Sequence, residues 1–344
     1  MSKCTINILM VIFTVLLLGC NQLSHKNEAG TKGVTISDTN PLPSWNNGTV
    51  KSAIIDFVKK TTTDGSPDYI PPSDRIACFD NDGTLWSEQP FYFQFLFAFD
   101  RIKSLAPLHP EWKTTQPFKA VLEGDIKTLA ACGKEALLTL VTISHSGMTL
   151  DEYRETVRKW MYQSRHPVTG RRYNEMVYQP MLELLDYLRV NEYKTFIVSG
   201  GSEEFMRVWA EEAYGIPSYQ VVGSLGSYRF EMKNGKAQLL KTPGFEFIND
   251  KEGKPVGIAR MIGKQPVFTV GNSDGDYQML QYTTTRSLPS FGMIIHHTDP
   301  VREWAYDRHS IVGRLNKGLD SAFVYNWMIV DMLKDWKRVY PFDK

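Results

Sequence analysis

The 344-residue chain has little cysteine, and none of its four cysteines forms a CxxC pair. A disulfide scaffold and a zinc site built on that spacing are therefore excluded. Charge of one sign is equally scarce: 39 Lys and Arg stand against 38 Asp and Glu, a net of +1, with no long run of like charge. A nucleic-acid binder that works by counterion release would carry a basic excess somewhere, so no nucleic-acid partner is expected. No repeat of fixed period is visible, and the one extended apolar run lies at the start of the chain. What remains, at 42% hydrophobic and 22% charged residues, is ordinary globular material sufficient for one large or two modest domains.

The opening run, Ile6 to Leu18, is broken only by Asn7 and Thr14 and preceded by a single charge at Lys3. At about 1.5 Å per residue it spans roughly 20 Å, short of the roughly 30 Å of a hydrocarbon core. It reads as a signal-peptide core. Leu17-Leu18-Gly19-Cys20 resembles the bacterial lipobox, which implies cleavage before Cys20 and lipidation of that residue. A plain signal peptide is the alternative. Asn21 after the cysteine resembles the sorting pattern that sends lipoproteins to an outer membrane, on the periplasmic side. Membrane contact is expected through the lipid anchor only, and no protein partner is expected. Residues 20–48, polar and rich in Ser, Thr, Gly and Asn, read as a flexible tether after the signal segment 1–19.

Beyond the tether, short apolar runs alternate with helical spacings. Ile54, Ile55 and Val58 suggest an amphipathic helix, as do Met181, Leu184, Leu185 and Leu188 behind Pro180. Arg75–Phe79, Lys194–Val198, Tyr219–Val222, Pro266–Val270 and Phe291–Ile295 read as buried strands. Ser202 to Tyr214 reads as one helix, and Asn234-Gly235 marks a hairpin. The class is α/β, a parallel sheet with helices on both faces. Between Phe91 and Glu175 helical patterns predominate. The expected division is 49–90 and 176–344 for the core, with 91–175 inserted as a mostly helical cap after the first core strand.

Three polar loops follow apolar runs, and ligands of open parallel sheets bind beyond the carboxyl ends of the strands. The first is Asp80-Asn81-Asp82-Gly83-Thr84-Leu85-Trp86. Two carboxylates this near each other repel by about 4 kcal/mol at about 4 Å and an effective dielectric of about 20, and a hard cation such as Mg²⁺ would offset that. A calcium EF-hand is excluded, because its sixth and twelfth positions would be Leu85 and Phe91. The second loop, Ser199-Gly200-Gly201 before Ser202, offers a hydroxyl and backbone N–H groups to a phosphate, and read alone it is equally an ordinary helix cap. The third is Gly271-Asn272-Ser273-Asp274-Gly275-Asp276.

In this order the loops resemble the motifs of the haloacid dehalogenase superfamily, closest to its phosphoserine-phosphatase-like branch. The resemblance implies a Rossmann-like core, Mg²⁺ as cofactor, and a small phosphorylated substrate. It implies Asp80 as nucleophile, Asp82 as general acid and base, and Ser199 as a contact of the transferred phosphoryl group. Gly200, Gly83, Thr84 and Glu88 join Ser199 as expected phosphate or substrate contacts. The expected metal ligands are Asp80, Asp82, Asn272 and Asp276. Superfamily members usually carry Asp where Asn272 stands, so either the metal site is one charge poorer or Asp274 or Asp276 compensates. A lysine before the third motif is also implied. Of Lys241, Lys251, Lys254 and Lys264, Lys254 sits in Gly-Lys-Pro at a helix start and is the expected one.

Other features carry less. His296-His297 point to opposite faces of one strand and make a poor metal pair. The aromatics of Phe91–Phe99 suit either a substrate pocket or the packed base of the cap. Arg154, Arg158, Arg171 and Arg172 read as a solvated face. The function expected is a Mg²⁺-dependent phosphomonoester hydrolase working through an aspartyl-phosphate. The alternatives are a phosphotransferase or mutase of the same superfamily, and a non-catalytic lipoprotein that binds a phosphate ligand.

Overall fold

The computed structural model of the protein describes residues 40–343. The expected signal peptide, the lipidated Cys20 and the first part of the tether lie outside the described residues. No helix among the described residues is long and apolar enough to cross a membrane.

Helix α1 (Thr49–Thr62) leads into β1 (Ile76–Phe79), whose four residues are all buried. Six α-helices separate it from the next strand, and the first five are α2 (Phe93–Leu105), α3 (Phe118–Glu123), α4 (Ile126–Ala131), α5 (Gly133–Ile143) and α6 (Leu150–Gln163). The chain then returns through α7 (Gln179–Val190) to β2 (Lys194–Ser202), α8 (Glu203–Arg207), α9 (Ala210–Tyr214) and the hairpin β3 (Val221–Lys233) and β4 (Lys236–Phe247). Helix α10 (Gly253–Met261), β5 (Phe268–Gly271), α11 (Tyr277–Thr284) and β6 (Phe291–Thr298) continue the alternation, and β7 (Ala305–Tyr306) and β8 (Met328–Asp331) complete the sheet.

The sheet runs β4-β3-β2-β1-β5-β6-β7, with β8 also on β6. Pairings from β3 through β2, β1 and β5 to β6 are parallel, as is β6 with β8; the hairpin and β7 are antiparallel. Alternate residues of β1 face opposite layers. Ala77 and Phe79 pack with Ile54, Val58, Leu184 and Leu188, whereas Ile76 and Cys78 pack with Ile258 and Met279. Both faces are covered, so the strand reads as one continuous apolar run.

The helical insertion has its own apolar cluster, including Phe99, Ile102, Trp112, Phe118 and Leu140. Thr149 and Glu152 form a capping box that starts α6. The hairpin turns at Asn234 (φ 52°) and Gly235 (φ 74°), the left-handed pair that a two-residue turn requires. Its second strand holds the α5–α6 connection, with Lys241 N–H donating to Met148 O (2.8 Å) and Gly147 N–H to Lys241 O (3.0 Å).

Two expectations need correction. The end of the assigned tether is folded: Leu42 and Trp45 are buried, Trp45 packs edge-on to Trp336 at 5.9 Å, and its Nε1–H donates to Pro180 O (3.0 Å). One large aromatic outweighs a polar composition around it. The single helix expected over Ser202–Tyr214 is two short helices, interrupted at Val208 and Trp209. Trp209 is instead turned to stack on Trp86, ring centroids 4.1 Å apart.

Candidate active site

The three polar loops meet at the carboxyl ends of β1, β2 and β5. Asp80 leaves β1 with its N–H bonded to Val270 O on β5 (2.9 Å). The next residues turn sharply: Leu85 N–H returns to Asn81 O (2.8 Å) and Gly83 adopts φ 71°. A side chain at Gly83 would meet Asn272 Nδ2 at 2.0 Å and Glu88 Oε1 at 2.4 Å, so glycine is required twice over. His297, on β6, holds this turn from behind through Gly83 O (2.8 Å) and is itself paired with Glu303 (3.1 Å).

Lys254, at the start of α10, sets the charge of the site. Its ammonium donates to Asp80 Oδ1 (2.6 Å) and Asp276 Oδ1 (2.5 Å). Burial alone would lower its pKa, but the two carboxylates outweigh it and hold the ammonium above its ordinary value. Asp80 is pushed upward, first by burial and then by Asp276, with Lys254 pulling back. Asp82 rises to about 6, mainly through burial, against the Trp86 Nε1–H bond to its Oδ1 (2.8 Å).

Ser199 lies across the opening, at the end of β2. Its hydroxyl accepts from Gly201 N–H (3.1 Å), and the neighbouring Ser202 N–H donates to Gln94 Oε1 (2.8 Å), so the cradle carries a side-chain acceptor from α2. Helix α8 behind it is only five residues long and begins Glu203-Glu204. The backbone N–H groups, more than a helix dipole, are what this loop offers an anion. Asp80, Asp82, Glu88, Ser199, Gly200 and Lys254 all line one cavity of about 410 Å³, roofed by residues of the helical insertion.

Not every expected residue serves as expected. Asp276 is a clamp: Oδ1 takes Lys254, while Oδ2 accepts from the N–H groups of Asn272 (3.0 Å) and Ser273 (3.1 Å). Both oxygens are engaged within the protein, and Asp276 does not line the cavity. Asp274 accepts from Asn316 N–H (3.1 Å) and Gly318 N–H (2.9 Å), which anchors a distant loop. Thr84 donates to Asn272 Oδ1 (3.2 Å) and is buried behind the loop, outside the cavity lining. Glu88 turns its carboxylate to Asn272 Nδ2 (2.7 Å) and Tyr306 OH (2.7 Å), away from the Ser199 loop. Burial holds its carboxyl well above the usual range, and once charged it would repel a phosphate oxygen rather than bind it.

Gln94 and Tyr306 escaped the sequence reading, as did the roles of Trp86 and of His297, the latter weighed only as half of a metal pair. Only Trp86, two residues beyond the first motif's threonine, carried a local hint of its role.

Among the described residues no three His, Cys, Asp or Glu side chains converge on one ready-made metal position. The donor chemistry nevertheless fits Mg²⁺. Asp80, Asp82 and Glu88 line the cavity with hard oxygen donors, and Lys254, shared between Asp80 and Asp276, does not neutralise them all.

The sequence profile of the haloacid dehalogenase-like hydrolases matches residues 77–281, from the middle of β1 into α11. The chain belongs to that family. No curated protein matches the sequence. Among solved structures, a protein of unknown function from Bordetella pertussis Tohama I is 14% identical with a TM-score of 0.50, over 75% of this chain and 99% of that one. A conserved, functionally unknown protein from Anaerococcus prevotii DSM 20548 is 16% identical with a TM-score of 0.43, over 73% and 86%. A phosphoserine phosphohydrolase-like protein from Francisella tularensis is 14% identical with a TM-score of 0.36, over 64% and 87%. At 14% identity the likeness to the Bordetella protein is one of fold alone.

Proposed function

We propose that this haloacid dehalogenase-family hydrolase cleaves small phosphomonoesters through an aspartyl-phosphate on Asp80, with Mg²⁺ as cofactor. The observation that carries the reading is the bridge Asp80–Lys254–Asp276 at the mouth of the sheet, with Asp82 two residues on and Ser199 across the cavity. Asp80 forms the new oxygen–phosphorus bond as the bond to the leaving alcohol breaks. Asp82, protonated below its pKa of about 6, gives that alcohol its proton and then takes one from the water that hydrolyses the intermediate. Lys254 stabilises the nucleophile's charge, while Ser199 and the neighbouring backbone receive the phosphoryl oxygens in place of Gln94. When bound, Mg²⁺ would neutralise charge on the phosphate, with Asp80 and Asn272 expected among its ligands and the Asp82 carboxyl left to exchange its proton.

The protein purified in detergent should hydrolyse p-nitrophenyl phosphate with Mg²⁺ and lose activity with a chelator. Asp80→Asn should lower kcat by about 10³-fold or more. Beryllium fluoride should trap on Asp80, and an adduct at any other residue would overturn the mechanism. The placement outside the cytoplasm rests on Cys20: Cys20→Ser should abolish acyl labelling and release the chain from membranes.

A further inference from the structure

Two buried polar side chains explain each other. Asn272 and Glu88, 184 positions apart, are each 1% exposed, and the amide Nδ2–H donates to Glu88 Oε1 at 2.7 Å. Tyr306 OH donates to the same oxygen. Both bonds fall on Oε1, which leaves Oε2 without a protein donor among the described residues, and no ammonium or guanidinium pairs with this carboxylate. Yet Glu88 lines the cavity beside Asp80 and Asp82. A buried carboxylate with no cation is strongly unfavourable unless something positive comes to it. A second carboxylate at position 272 would touch the first, so a neutral amide there is what allows Glu88 to be charged.

We infer that Glu88 is a ligand of the divalent cation and supplies the charge that Asn272 lacks. The compensation does not come from Asp274 or Asp276: neither lines the cavity, Asp274 Oδ1 anchors Asn316 and Gly318, and Asp276 holds Lys254 and the backbone of its own loop. The carboxylate has in effect moved from the third loop to the segment after the first. The inference rests on the metal dependence proposed above, and Mn²⁺ binding followed by electron paramagnetic resonance separates the two. The parent should bind one Mn²⁺. Glu88→Gln keeps the shape and an acceptor for Tyr306, and should weaken binding by at least about tenfold. Asn272→Asp/Glu88→Gln, which exchanges the charge, should restore binding to within about threefold of the parent, and it keeps the test decisive if the single variant does not fold. Parent-like affinity in Glu88→Gln, or a double variant no better than the single one, overturns the inference alone. A parent that binds no Mn²⁺ removes the metal reading with it.

The opposite wall of the cavity carries a separate inference, resting on the same phosphatase reading. It is built from Phe91, Phe95, Leu137, Val141, Ile311 and Val312. Of the polar groups beside it, Gln94 Oε1 accepts from Ser202 N–H, and the largely exposed Lys134 pairs with Asp250 (2.9 Å). Against these six side chains an ammonium, a carboxylate or a row of hydroxyls would lose water with no polar partner in return, whereas an apolar group packs. We infer that the alcohol part of the substrate is apolar, aromatic or branched aliphatic. Comparing 2-phenylethyl phosphate with glycerol 3-phosphate tests this, because both are alkyl esters and leaving-group reactivity is held nearly constant. The first should be preferred in kcat/KM by at least about tenfold. Equal or reversed preference overturns the inference, as does turnover of p-nitrophenyl phosphate with neither alkyl ester accepted. No turnover of any phosphate ester strikes at the phosphatase reading instead.

Discussion

Lys254 and Lys241 are buried alike, each 2% exposed, and their ammonium groups shift in opposite directions. Lys254 touches two carboxylates that have no other cation, and it is held above its ordinary pKa. Lys241, on the hairpin beneath α6, lies 4.4 Å from the ring centre of Tyr153 and 4.6 Å from that of Tyr228. Burial brings it down to about 8. The carboxylates nearest it are already paired, Glu203 and Glu204 with Arg207 and Glu204 also with Arg154. The hairpin region is thus electrostatically closed. The strand-end loops keep more carboxylate than ammonium, and such an imbalance suits a site built to receive a cation and an anionic substrate together.

The comparison breaks most visibly at Lys254. Lys254→Met leaves Asp80 and Asp276 buried without their cation, which should destabilise the metal-free protein by about 3–5 kcal/mol. Turnover should fall at least about 10²-fold with it. Urea unfolding with chelator and steady-state kinetics check both. An unchanged unfolding midpoint would mean that the bridge does not hold the loops together.

A smaller effect is expected at Trp86, whose indole N–H is the donor to Asp82. That bond lowers the pKa of Asp82, so Trp86→Phe should raise it further above about 6. A general acid is active while protonated, and activity is lost as pH rises through its pKa. The alkaline limb of the kcat profile should therefore move to higher pH in Trp86→Phe, with a loss at the optimum of about tenfold, the worth of one hydrogen bond to a charged group. A limb that stays in place would assign the titration to another group.

The same contrast shows what could be read from the sequence. Asp80, Ser199 and Asn272 follow short runs such as Ile76–Phe79, and a strand buried on both faces must be continuously apolar, so the loop after it falls at the sheet's carboxyl edge. Lys254 was distinguishable from Lys241, Lys251 and Lys264 because Gly253-Lys254-Pro255 opens a helix, which aims the side chain back toward the preceding loop. The Asn234-Gly235 turn was legible for an equally local reason. What stayed hidden depends on distant partners. Glu88 acquires its meaning from Asn272 and Tyr306, the latter 218 positions away. Asp276 looks like a ligand until its carboxylate is seen folded onto the N–H groups of Asn272 and Ser273. Trp45 looked like part of a tether because its partner, Trp336, is at the other end of the chain.

The smallest expected effect is at Lys241, and it sharpens the contrast by its sign. A lysine whose pKa is about 8 in the fold and ordinary when unfolded binds its proton less well in the native state. Below pH 8 that costs on the order of 3 kcal/mol. The cost fades as pH rises from 8 toward 10.5, where the lysine is neutral in both states, so native stability should increase over that window. Lys241→Met should be about 1–3 kcal/mol more stable than the parent at pH 7 and should lose the rise between pH 8 and 10, measured as urea midpoints across that range. Stability curves that run parallel in parent and variant would place the titrating group elsewhere, whereas convergence near pH 10.5 would show that burial without a partner carboxylate governs this ammonium and that the carboxylates alone set Lys254 apart.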